Sequence, residues 1–180
     1  MKHFTLLFFL LFLVLNINAQ EQLFKGSTWS FGRSIIHEQM PEDYYYQPIS
    51  ILGNFPVHEF GKLGIYGEYQ YAQATNINNQ FDFEFGLNMG LRYPISLNAT
   101  THLLAIVGAG PHYVTIQTRH QASGFIFSDN FELNLRHYAK DLGTTLQLSA
   151  RFRHISNAGF KSPNRGIDNF FLLFGVEHRL

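Results

Sequence analysis

Apolar and polar residues alternate without a break in FDFEFGLNMGLRY, residues 81–93. Phe81, Phe83, Phe85, Leu87, Met89, Leu91 and Tyr93 form one set; Asp82, Glu84, Gly86, Asn88, Gly90 and Arg92 form the other. Successive side chains of a strand point to opposite faces, so this stretch predicts a strand that is oily on one side and wet on the other. The same period runs through DLGTTLQLSARF, residues 141–152. Leu142, Thr144, Leu146, Leu148, Ala150 and Phe152 share one phase, while Asp141, Gly143, Thr145, Gln147, Ser149, Arg151 and the following Arg153 share the other. The chain closes on NFFLLFGVEHRL, residues 169–180. Its even positions are Phe170, Leu172, Phe174, Val176, His178 and Leu180, with Glu177 and Arg179 opposite.

Weaker stretches of the same kind lie at 26–37, 44–53, 60–72, 101–117 and 126–137, with turns expected at NFP, TNINNQ and PISLNAT. Pro48 and Pro111 push the second and fifth of the expected strands toward edge or bulge positions, because proline has no N–H to give a ladder. Together these stretches predict an all-β fold, an eight-stranded antiparallel transmembrane β-barrel of the outer membrane. An even strand number brings both chain ends to one side, and a barrel of about eight strands is narrow enough for side chains to fill. Closure also removes the strand edges that hydrocarbon would penalise. Period alone does not decide which face is outside; the opposite sense would give a soluble, ligand-carrying barrel.

The first residues bear on that choice. MKHFTLLFFLLFLVLNINAQ has a basic start, an apolar run from Phe4 to Leu15 and a small residue at Ala19. This reads as a signal peptide over 1–19, cut before Gln20, leaving 20–180 as one barrel domain. The run is shorter than the ~20 apolar residues of a spanning helix. The chain carries 19 Phe and 9 Tyr and only 14% charged residues, a composition that suits an exported protein with an oily exterior. The closing strand resembles the C-terminal signal of Gram-negative outer-membrane proteins, although the last residue is Leu180 rather than an aromatic one. Absence of cysteine excludes a disulfide framework and thiol chemistry. Zero net charge with scattered Lys and Arg gives no nucleic-acid footprint. The polar phases are charged enough to predict an ion-paired interior, in which Arg92, Arg151 and Arg153 face Asp82, Glu84 and Asp141.

Candidate chemistry enters where the oily phase of residues 146–152 is continued. Two further steps give His154 and Ser156, polar groups on the lipid-facing side; running the last strand backwards puts Asp168 on the same surface. If His154 opposes Asp168, then Ser156 opposes Gly166, and NAGFKSPNR forms the connection. Opposed Cβ atoms lie about 4.5–5.5 Å apart, and residues two apart along a strand about 6.6 Å. An imidazole can then take a carboxylate on one nitrogen and a hydroxyl on the other, the order required to activate a serine nucleophile. The tetrahedral intermediate needs donors, for which the Asn164 side chain and a backbone N–H near Gly159 are candidates, with Asn157 as a supporting polar group. Polar groups on a lipid-facing wall are tolerated near the interface, where their cost falls to about 0–1 kcal/mol.

HISNAG followed by PNRGID resembles the lipid A 3-O-deacylase family of outer-membrane barrels, in which H-x-S-N-A is followed by P-N-x-G-x-E. The resemblance implies an esterase that removes an acyl chain, 3-O by family, from the lipid A part of lipopolysaccharide. It implies a triad of His154, Ser156 and Asp168 on the outside of the barrel, and an oxyanion role for Asn164. The specific match spans the two short motifs, and the acid departs from the family's Glu by one methylene. No metal or organic cofactor is implied. The expected partners are the outer membrane and its lipopolysaccharide, without nucleic acid; a homodimer is left open. The other reading is a non-enzymatic structural or adhesive outer-membrane barrel. His58 and Glu59 lack the second histidine of a zinc-binding H-E-x-x-H, and GAGPH opens no strand-to-helix phosphate loop.

Overall fold

Eight strands pair each with the next, and the last returns to the first, closing an antiparallel barrel in chain order. They are β1 (Ser27–His37), β2 (Ile49–Phe60), β3 (Leu63–Thr75), β4 (Phe81–Ser96), β5 (Thr101–Val114), β6 (Gly124–Ala139), β7 (Thr144–Ser156) and β8 (Ile167–His178). The computed structural model describes residues 26–37, 47–75, 81–117 and 121–178. The expected signal peptide, the Tyr44–Tyr46 start of the second strand, most of the TNINNQ turn and the final Arg179 and Leu180 lie outside the described residues.

The oily phases face outward. Trp29, Phe85, Leu87, Met89 and Phe174 are each more than half exposed, whereas their polar alternates Ser30, Glu84, Asn88 and Glu177 are buried inside. That decides the sense that period alone left open. An apolar exterior on a closed barrel suits hydrocarbon, not water.

The interior is not uniform along its length. At mid-barrel Arg151 donates to Glu68 Oε1 at 2.8 Å and through Nε to Glu132 Oε2 at 2.7 Å. Arg153 donates to Glu84 Oε1 at 2.7 Å and to Asn169 Oδ1 at 2.8 Å. The expected network is therefore present in part: Glu84 holds Arg153 as expected, while Arg151 closes on Glu68 and Glu132, which the sequence did not single out. Asp141 is not in it: residues Lys140–Leu142 form a 3-10 turn instead of starting β7, and Asp141 is exposed. Toward one mouth the wet interior gives way to a dry plug of Val114, Ile116, Ile126, Ile155 and Ile167.

Two turns fall elsewhere than expected. Asn54–Pro56 lie inside β2, paired with β3 through Pro56↔Tyr66, and a register shift follows between Pro56 and His58. The chain reverses instead at Gly61 and Lys62, where Gly61 takes φ 59, the positive value that a tight hairpin turn demands. Pro94–Ser96 likewise belong to β4. Connections 61–62, 97–100 and 140–143 are short and share one end; 38–48, 76–80, 115–123 and 157–166 are longer and share the other. Short turns mark the periplasmic end of such barrels and longer loops the extracellular end, so the dry plug closes the extracellular mouth.

Candidate active site

The β7–β8 ladder keeps one register from Thr145↔Glu177 to His154↔Asp168 and Ile155↔Ile167. Constant register carries the outward phase of Leu148 and Phe152 directly to His154, and that of Leu172 and Phe170 to Asp168. Between them, the inward Ile155 and Ile167 are 0% and 2% exposed and belong to the dry plug. The site therefore sits on strand ends clamped from behind by packed isoleucines, a more rigid support than a free loop.

His154 Nδ1 lies 2.6 Å from Asp168 Oδ1. A carboxylate accepts, so the contact places a proton on Nδ1, and in the neutral ring Nε2 is then the basic nitrogen. The shorter acid reaches the imidazole without difficulty, because the two residues are direct cross-strand partners. The pair is partly solvated, with side-chain exposures of 37% and 47%. Ser156 follows on the same face, and Phe127 is its partner across the β6–β7 ladder. Among the described residues no hydrogen bond joins Ser156 to His154. The imidazole leans over Gly166, one step past the last β7–β8 pair and opposite Ser156: a Cβ at 166 would lie 2.9 Å from His154 Nε2 and closer still to Cε1. Gly166 also has φ 79, so both backbone and ring require glycine here. Catalytic hydrogen bonds of free enzymes are commonly long and tighten when substrate binds.

The connection after Ser156 is folded on Asn157, whose side chain is buried. Asn157 Oδ1 accepts the Gly159 N–H at 3.0 Å and Asn157 Nδ2 donates to Lys161 O at 2.6 Å. The Asn157 N–H donates to Asn164 Oδ1 at 2.7 Å. That bond fixes the flip of the Asn164 amide, leaving Nδ2 turned away as a donor. Gly159, by contrast, already spends its N–H on Asn157. Ala158, at φ 53, holds a left-handed conformation that costs a non-glycine residue stability, and such strain concentrates at working sites.

Two features escaped the sequence. Asp129 on β6 is the Cα partner of His154 on the side away from Asp168, and it too faces outward, so carboxylates flank the imidazole on both neighbouring strands. Its signal was its place in the outward phase of β6, visible only once the β6–β7 register is known. Gln121, in the β5–β6 connection, accepts the Gly166 N–H on Oε1 at 3.2 Å; nothing local in the sequence marks it. Among the described residues no three His, Asp or Glu side chains gather as a metal site.

Fold and site together define an outer-membrane barrel that carries hydrolase-type groups on its lipid-facing wall. The profile of the lipid A 3-O-deacylase (PagL) family matches residues 13–177, and the chain belongs to that family of lipid A-deacylating enzymes of the Gram-negative outer membrane. Among solved structures, the outer-membrane enzyme PagL aligns with TM-score 0.64 at 16% identity, covering 83% of this chain and 97% of that one. Neisserial surface protein A aligns with TM-score 0.58 at 10% identity, covering 86% and 95%. Ail, the attachment invasion locus protein of Yersinia pestis, aligns with TM-score 0.50 at 14% identity, covering 88% and 100%. At these identities the likenesses concern the barrel alone. No curated protein matches the chain.

Proposed function

We propose that this protein is a serine esterase that hydrolyses the 3-O-linked acyl chain of lipid A, with Ser156 as nucleophile, His154 as base and Asp168 as the orienting acid. The observation that carries the reading is the 2.6 Å His154–Asp168 contact on the outer wall, beside Ser156. Residues 1–19 are removed on export in this reading.

As Ser156 Oγ attacks the ester carbonyl carbon, its proton passes to His154 Nε2, and Asp168 stabilises the imidazolium that forms. The oxyanion is met by Asn164 Nδ2, a type of donor worth about 3 kcal/mol. The Gly159 N–H adds to it only by releasing Asn157. Collapse breaks the bond to the sugar oxygen, which leaves with the proton from His154. Water, deprotonated by the same imidazole, then cleaves the acyl-serine and frees the fatty acid.

The substrate arrives sideways, in the plane of the outer leaflet. Phe127 and Phe160, with ring centroids 6.2 Å apart, make an apolar shelf beside Ser156. An enzyme for a water-soluble ester would gain nothing from such a position. The test is mass spectrometry of lipid A from cells that make the wild-type protein, the Ser156→Ala variant, or neither. Wild type should shift lipid A by the mass of one hydrolysed acyl chain, while Ser156→Ala, folded as a heat-modifiable barrel, should reduce that conversion by at least about 10³-fold. Identical spectra from all three would leave the non-enzymatic barrel as the answer.

A further inference from the structure

The connection that carries Asn164 is held by a second connection. Gln121 is 0% exposed, although it sits in the loop region between β5 and β6. Its backbone forms an antiparallel bridge with Asn164. Beside it the Ala122 N–H donates to Pro163 O at 2.9 Å. Its side chain is used at both ends: Oε1 accepts the Gly166 N–H at 3.2 Å, and Nε2 donates to Ala122 O at 3.0 Å. Farther out, Lys161 Nζ donates to Ser123 O at 3.3 Å.

A glutamine is buried at a cost unless its amide is satisfied, and here the oxygen is satisfied by Gly166 of the site, while the backbone of the same residue bridges to Asn164. Asn164 bears the amide donor of the proposed oxyanion site. Gly166 is the platform under the His154 ring. One residue thus sets the height of the donor and the height of the imidazole relative to the same reference point, 45 residues away in the chain.

We propose that Gln121 is a positioning residue for ester hydrolysis: its side chain fixes Gly166, and through it the His154 ring, against the Asn164 segment that its backbone bridge holds. The inference rests on the functional reading above. Gln121 touches neither substrate nor reacting atoms, and its side chain acts through Gly166 on the His154 ring. Displacement of a catalytic group by about 1 Å can cost up to about 10²-fold in rate. Loss of this tether should therefore appear in kcat, while KM, set by the apolar contacts of the acyl chains, should hold.

The experiment measures fatty-acid release from purified lipopolysaccharide by the full chain in detergent micelles. Gln121→Met preserves the volume and removes both hydrogen bonds. Its kcat should fall about tenfold with KM within about twofold of wild type. Gln121→Asn keeps an amide but withdraws the oxygen from Gly166 by one methylene; it should show the same loss, and it serves if the methionine variant does not reach the heat-modifiable barrel. Each substitution is repeated on Asp168→Asn, in which the imidazole has already lost its orienting partner. If Gln121 works through the His154 ring, its loss there should shrink below about twofold, whereas a general loosening of the barrel would give equal losses in both backgrounds. Full kcat in both Gln121 variants, or additive losses, would overturn the inference while leaving the esterase intact. A wild-type protein that releases no fatty acid would remove the functional reading and the inference together.

Discussion

The two walls of β7 carry polar groups of opposite character. On the inner wall Arg151 and Arg153 are buried and closed upon partners, Arg151 on Glu68 and Glu132, Arg153 on Glu84 and Asn169. On the outer wall, His154 and Ser156 begin where the lipid-facing row of Leu148 and Phe152 stops. His154 uses one ring nitrogen on Asp168 and, among the described residues, leaves the other without a hydrogen bond. The inner wall pairs both of these buried guanidinium groups because low dielectric makes an unpaired charge costly. The outer wall keeps hydrogen-bonding capacity in reserve at a depth where polar groups are cheap. Stability and chemistry are thus segregated by the parity of residue number on a single strand.

Substitutions on each side break the comparison differently. The largest effect on turnover is expected from Asp168→Asn, which preserves shape but turns the imidazole toward the wrong tautomer. By analogy with other serine triads the rate of fatty-acid release should fall about 10³- to 10⁴-fold. The urea midpoint of the barrel should stay unchanged, since the pair is solvent-exposed and such pairs contribute little to folding. Arg151→Met should do the reverse. It strands Glu68 and Glu132 in the interior, so equilibrium unfolding in urea should show a loss of about 3–5 kcal/mol. The fraction that remains folded should turn over within about twofold of wild type. An Arg151 variant that loses catalysis without losing stability would show that the two walls are coupled after all.

This segregation was legible in the sequence because parity survives errors of strand boundary. The expected β7 began at Asp141 and the observed one begins at Thr144, yet the phase of His154 and Ser156 is the same in both. The index sum that pairs His154 with Asp168 was likewise available, since the ladder runs from the closing strand without a bulge. The turn at NFP was misplaced because proline and asparagine mark turns locally, whereas a register shift in β2 lets Pro56 remain in the ladder. The acids that meet Arg151 were missed for a deeper reason. Glu68 on β3 and Glu132 on β6 meet Arg151 across the lumen, and the pattern along one strand carries no record of which residues meet across a barrel. Gln121 was invisible on the same ground: its partners Asn164 and Gly166 belong to another connection, and a lone glutamine in a loop has no period. Gly159 was selected as a free donor, but the side chain of Asn157, two residues before it, takes that N–H.

The central claim is that the outer wall bears an activated serine. It is tested most directly by treating the folded barrel in micelles with an alkyl fluorophosphonate and weighing the intact protein. Wild type should gain a single adduct that maps to Ser156, and Asp168→Asn should gain it far more slowly. A wild-type barrel that deacylates lipid A yet takes no adduct, or takes it on another residue, would contradict the account.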